Sequence, residues 1–137
     1  MNHQHEPVFL YIEDDSNSRI VIDILIKRIL GYQHLSIFED SRNFEGRIAQ
    51  CNPKPNVIFL DIQVSPYDGY QMLEILRKHP DYSSATIIAM TANVMSHDVE
   101  RLKKVGFSGL IGKPIDRQIF PQLIARILAG DSVWYVP

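Results

Sequence analysis

The chain has a single cysteine, Cys51, in 137 residues. That excludes an internal disulfide and any cysteine-rich zinc site, and leaves Cys51 to be read as a half-buried thiol at a helix end. There is no excess of basic charge: 14 Lys and Arg against 16 Asp and Glu give a formal net charge of −2. Such a balance makes no electrostatic footprint for nucleic acid or an anionic membrane, so direct nucleic-acid binding is not expected. No apolar run approaches the ~20 residues that a membrane-spanning helix needs. Met1 to Pro7 is polar, unlike the charged-then-apolar start of a secretion signal. No membrane insertion is therefore expected, and the cytoplasm is the expected compartment. The length leaves room for one domain and no second core.

What is present is an alternation of strand-like and helix-like segments. Val8 to Ile12 reads as a strand buried on both faces and ends in Glu13-Asp14-Asp15. Ser16 and Asn17 offer N-cap chemistry for a helix carrying Ile20, Val21, Ile24 and Leu25, which Gly31 stops. Leu35 to Phe38 reads as a second strand, and Ser41 as the cap of a helix over about 43–50. Val57 to Leu60 is the strongest strand signal and ends at Asp61. Turn chemistry over Val64 to Gly69 leads into a helix from Tyr70 to His79. Thr86 to Met90 makes a fourth strand ending at Thr91, followed by a helix with Val99, Leu102 and Val105 that stops at Gly106. Leu110-Ile111 makes a short fifth strand ending at Lys113-Pro114. The last helix carries Ile119, Leu123 and Ile127; Pro121 confines its start to Ile119 or Phe120, and Gly130 ends it. The expected organisation is a disordered segment over 1–6, one domain over 7–130, and a short tail over 131–137 containing Trp134 and Tyr135.

Five strands interleaved with five helices imply an α/β, three-layer, doubly wound (βα)5 sandwich around a five-stranded parallel sheet, flavodoxin-like in type. In such sheets the functional crevice lies beyond the carboxyl ends of the strands. Those ends carry Glu13 and Asp14, Asp61, Thr91 and Lys113. Three crowded carboxylates repel one another, and a hard divalent cation relieves the repulsion. Lys113 supplies a charge that can pair with Asp61, and Thr91 a hydroxyl donor for a phosphoryl oxygen. The set suits an aspartate that attacks phosphorus while the cation and Lys113 absorb the developing charge.

Over residues 7 to 129 the sequence resembles the receiver domains of two-component response regulators. The carrying motifs are Tyr11-Ile12-Glu13-Asp14-Asp15, Phe59-Leu60-Asp61-Ile62-Gln63, Asp68-Gly69, Met90-Thr91-Ala92 and Gly112-Lys113-Pro114. The resemblance implies Asp61 as phosphoacceptor, Glu13 and Asp14 as the acidic pair, and Thr91 with Lys113 as the phosphoryl-sensing pair. It implies Mg2+, with Mn2+ as a substitute, on Asp14, Asp61 and the main-chain carbonyl of Gln63, Glu13 acting mainly through water. It also implies a cis Lys113-Pro114 peptide and a sensor histidine kinase or histidine phosphotransfer protein as phosphodonor. A downstream protein target and a monomer or weak dimer complete the expectation, as does a stand-alone signalling role rather than that of an enzyme.

The family often places Met-Pro after the phosphoacceptor where this chain has Val64-Ser65, with the proline displaced to Pro66. Leu110 stands where many receivers carry an aromatic switch residue, so the aromatic flip is not carried over. Two other readings compete: a pseudo-receiver that keeps the fold and binds partners without phosphorylation, and an Asp-nucleophile phosphatase, which also uses a strand-end aspartate with Mg2+. The second needs a carboxylate two residues after the nucleophile, where this chain has Gln63.

Overall fold

The computed structural model describes residues 6–94 and 96–137. The disordered segment expected over 1–6 lies, but for Glu6, outside the described residues. Strands β1 (Val8–Ile12), β2 (His34–Phe38), β3 (Val57–Asp61), β4 (Thr86–Thr91) and β5 (Gly109–Gly112) alternate with helices α1 (Ser16–Asp23), α2 (Phe44–Gln50), α3 (Gly69–Lys78), α4 (Ser96–Val105) and α5 (Phe120–Leu128). A sixth strand, β6 (Trp134–Tyr135), follows α5. The strands pair in parallel in the order β2-β1-β3-β4-β5-β6. The expected five-stranded sheet is thus extended by the tail. Leu110 pairs with Trp134 and Ile111 with Tyr135, and the Leu110 N–H donates to Val133 O at 2.7 Å. Two residues of strand bounded by Pro137 were too short to register as a strand in the sequence pattern.

Strand periodicity divides the core. Leu10, Ile12, Ile58, Leu60, Ile87 and Ala89 face α2, α3 and α4, meeting Phe44, Ile48, Met72, Leu76 and Leu102. Phe9, Tyr11, Val57, Phe59, Ile88 and Met90 face the other way, against Ile22, Ile26, Phe120, Leu123 and Ile127 of the opposite helical layer. With both faces covered, the central strands have no polar alternation, which is why they read as continuous apolar runs. Among the described residues no helix is long and apolar enough to cross a membrane.

Three local details differ from expectation. The N-cap of α1 is Asp15, not Ser16 or Asn17: its carboxylate accepts both the Ser18 N–H and hydroxyl at 2.8 Å, a stronger acceptor than a hydroxyl at this position. Beyond Asp23 the helix widens into a π segment over Ile24–Ile29, burying the adjacent Leu25 and Ile26 before Gly31 turns the chain at φ +78. Ser41 does not cap α2. Asn43, in the left-handed region at φ 49, precedes that helix without a side-chain cap. Ser41 is buried instead, donating to Tyr67 O at 2.8 Å and accepting the Tyr67 N–H at 2.7 Å. It therefore fixes the loop after β3, which neighbours the strand ends described next.

Candidate functional site

Four of the strand ends deliver the components of the site. Glu13 and Asp14 follow β1, Asp61 closes β3, Thr91 closes β4, and Lys113 follows β5. The register Asp61↔Met90 and Thr91↔Gly112 keeps these ends level. Carboxylate oxygens of Glu13, Asp14 and Asp61 lie within 4.8 Å of one another. Glu13 and Asp61 are buried, whereas Asp14 is exposed. Lys113 Nζ donates to Asp61 Oδ2 at 3.0 Å and also to Glu13 Oε1. The Gln63 N–H donates to Asp61 Oδ1 at 3.0 Å, and the Asn93 N–H to Thr91 Oγ1 at 3.1 Å. The side-chain amides of Asn93 and Gln63 approach at 3.5 Å across the mouth of the site. The Lys113 N–H donates to Thr91 O at 2.8 Å, so the lysine and the hydroxyl are coupled through backbone. The Lys113-Pro114 peptide is cis, as the resemblance implies.

The loop after Asp61 closes despite its displaced proline. The Gly69 N–H donates to Ile62 O at 2.9 Å, and Asp68 and Gln71 form a reciprocal capping box at the start of α3. A Cβ on Gly69 would lie 2.8 Å from Ile62 Cα, so this approach requires glycine.

The charges are unequal in their tendencies. Burial pushes the Asp61 carboxyl up to about 6, the neighbouring Glu13 adding to the shift, while the Gln63 N–H and Lys113 oppose it. Burial acts to raise Glu13 as well, but its bonds to Asp61, Lys113 and Tyr11 prevail and hold it at about 2. Burial acts to lower Lys113, and the two carboxylates overcome it and raise it, so the ammonium stays charged. The arrangement is a buried anion beside a fixed cation, with an exposed carboxylate completing an oxygen-only set. Hard oxygen donors of this kind fit a divalent cation such as Mg2+ or Mn2+. Asp14, Asp61 and the Gln63 carbonyl are the groups of this chain that could hold one.

All the strand-end residues singled out from the sequence are therefore brought to one place. Two residues that touch Glu13 were not singled out, the first being Tyr11, fully buried, whose hydroxyl donates to Glu13 Oε1 at 2.7 Å. Its spacing of two from Glu13 along a strand places both on one side, a signal present in the sequence. Burial first, and Glu13 next, push the Tyr11 hydroxyl above its ordinary value, so it remains a donor. Arg19 is the second; its Nη1 donates to Glu13 O at 3.0 Å.

Comparison with known proteins agrees with this construction. The chain matches the response regulator receiver domain over residues 9–125. It is 25% identical over 122 residues to the signal transduction histidine-protein kinase BarA of Escherichia coli K12, covering 89% of this chain and 13% of that one. The chain spans between 5% and 16% of the length of four curated histidine kinases it matches. Among solved structures, it is similar to the signal receiver domain of a DNA-binding response regulator from Colwellia psychrerythraea 34H. The TM-score is 0.78 at 20% identity, covering 90% of this chain and 98% of that one. It is also similar to the Mn2+-bound form of response regulator Rcp1, with a TM-score of 0.69, 20% identity, and 90% of each chain covered. With the family matched across most of its length and the strand-end cluster in place, the chain belongs to the response regulator receiver domain family.

Proposed function

We propose that this receiver domain takes a phosphoryl group on Asp61 from a phosphohistidine of a sensor histidine kinase or histidine phosphotransfer protein. The observation that carries the reading is the contact of Lys113 Nζ with Asp61 Oδ2 at 3.0 Å, inside a cluster of three carboxylates. An Asp61 oxygen attacks phosphorus, the phosphorus–nitrogen bond of the donor breaks, and the imidazole leaves with the electron pair and takes a proton from solvent. Lys113 and the Thr91 hydroxyl meet the phosphoryl oxygens, where fixed charge and a positioned donor stabilise the transferring group. A divalent cation on Asp14, Asp61 and the Gln63 carbonyl, with Glu13 acting mainly through water, supplies positive charge that offsets the meeting of anions. Mg2+ fits the oxygen donors, and Mn2+ substitutes for it, as the Mn2+-bound relative supports.

The phosphodonor is proposed to dock beside the site along α1, which begins next to Asp14 and Asp15. Ile20 on α1 and Ile24 at the start of the π segment are exposed, at 57% and 39%, and border an open groove of about 790 Å3 that also includes Arg19, Ile37 and Arg47. The phosphorylated domain, working in the cytoplasm, passes its signal by binding a protein target or by relaying the group to another histidine. It acts as a signalling switch, not as a turnover enzyme. The test is transfer from a phosphorylated histidine kinase or phosphotransfer protein in the presence of Mg2+. A label on this chain that alkali and hydroxylamine both remove is expected, as for an acyl phosphate; the phosphohistidine of the donor survives alkali. No transfer from phosphohistidine, with or without Mg2+, would leave a partner-binding module without phosphorylation as the reading.

A further inference from the structure

The hydroxyl of Tyr11 has a role distinct from that of its ring. The ring is packed on its own account, fully buried and edge-on to Phe59 with centroids 6.3 Å apart. A phenyl ring would fill the same space, as Phe9 and Phe59 do on this face of the sheet. A buried hydroxyl without a partner destabilises the fold, so its bond to Glu13 is what makes the tyrosine acceptable there. Around Glu13 every group is engaged. Oε1 takes the Tyr11 hydroxyl at 2.7 Å and the Lys113 ammonium, and Oε2 takes the Asp15 N–H at 3.2 Å. Its N–H donates to Phe38 O at 3.0 Å, and its carbonyl accepts Arg19 Nη1. Asp14, one residue on, is exposed.

We propose that Tyr11 is a positioning residue for this centre. Its hydroxyl pins the Glu13 carboxylate to Lys113 and so withholds Glu13 from direct ligation of a cation held by Asp14 and Asp61. The proposal rests on the phosphoacceptor reading and deepens it in two ways. First, Lys113 keeps a carboxylate partner when Asp61 is taken up in a bond to phosphorus, so the ammonium stays placed for a phosphoryl oxygen. Second, the cation is bound less tightly than three free carboxylates would bind it, which keeps metal binding from outweighing the pairing of Lys113.

The test compares Tyr11→Phe with the parent in three measurements: calorimetric titration with Mg2+ alone, the rate of phosphorylation by acetyl phosphate at saturating Mg2+, and the melting temperature. Freed of its donor, Glu13 turns toward the cation, and Mg2+ affinity is expected to rise severalfold. The phosphorylation rate is expected to fall by about tenfold, the scale of one lost hydrogen bond to a charged group. Opposite movement of the two is the signature. A packing defect weakens both, and an inert hydroxyl changes neither; either result overturns the proposal. In a Glu13→Gln background, Tyr11→Phe should leave Mg2+ affinity where it is, because the group it positions no longer carries charge. Additive effects in that cycle also overturn the proposal. If the parent accepts no phosphoryl group while Tyr11→Phe still tightens Mg2+, the phosphoacceptor reading fails and the positioning role stands.

Discussion

Asp61 and Lys113, 52 residues apart in sequence, meet at 3.0 Å between Oδ2 and Nζ. Yet the pairing does not make Asp61 an easily ionised group, because burial and the Glu13 carboxylate outweigh it and carry the carboxyl from 3.8 to about 6. The folded state thus binds this proton more tightly than the unfolded chain does. Ionisation of Asp61 therefore subtracts stability as pH rises from about 4 through about 6, and the loss is complete above that window. In chelator, Asp61→Asn should raise stability at pH 7.5 by about 1–3 kcal/mol, given ~1.4 kcal/mol per pKa unit. The gain should shrink at pH 5 and vanish below pH 4. Denaturant melts across that range check it; a gain independent of pH would mean that charge burial is not its cause.

Asp14 offers the exposed carboxylate of the trio. Asp14→Ala should abolish detectable Mg2+ binding while leaving the fold intact, and the metal-free protein should melt no lower than the parent, since one of three repelling charges is gone. A thermal melt at increasing Mg2+ separates the two effects, because a bound cation raises the midpoint by linkage. A variant whose midpoint climbs with Mg2+ as the parent's does would remove Asp14 from the metal set.

The tail reaches the site through Gly112. A Cβ there would lie 2.6 Å from Pro137 Cδ, 3.2 Å from Tyr135 O and 3.4 Å from Val94 Cγ2. Gly112 also pairs with Thr91 and precedes Lys113. Gly112→Ala should therefore push β6 off the edge of β5 and cost about 1–2 kcal/mol by overpacking. Trp134, half-buried with Lys103 Nζ 5.2 Å from its ring centroid, is the sole tryptophan and reports the change. Its emission should shift to the red in the variant. An unshifted spectrum would show that the strand tolerates the added methyl.

Much of the fold and centre was legible because local pattern and strand topology agreed. Val57 to Leu60 read as a buried strand and is one, and the rule that chemistry collects at carboxyl ends located Glu13, Asp14, Asp61, Thr91 and Lys113 together. What was not legible depended on partners distant in sequence. Ser41 resembles a helix cap, but its hydroxyl is claimed by Tyr67, 26 residues away. Tyr11 resembles any core aromatic because its partner Glu13, though only two residues on, becomes the hub of the centre only when Lys113, 100 residues further along, meets the same carboxylate oxygen. The π segment over Ile24–Ile29 carries an isoleucine-rich pattern that suits an α-helix equally well. β6 has two residues, and only its seat against β5 makes it a strand.

The identity of the phosphorylated side chain is the central claim, and borohydride trapping tests it most directly. Acyl phosphates are reduced to alcohols, while free carboxylates are not. The protein is incubated with acetyl phosphate and Mg2+, reduced, digested and sequenced by mass spectrometry. The account predicts that Asp61 alone is converted, that Mg2+ is required, and that Glu13 and Asp14 remain carboxylates. Conversion at either of those two, or none at Asp61 under conditions that fully phosphorylate a control receiver domain, would contradict it.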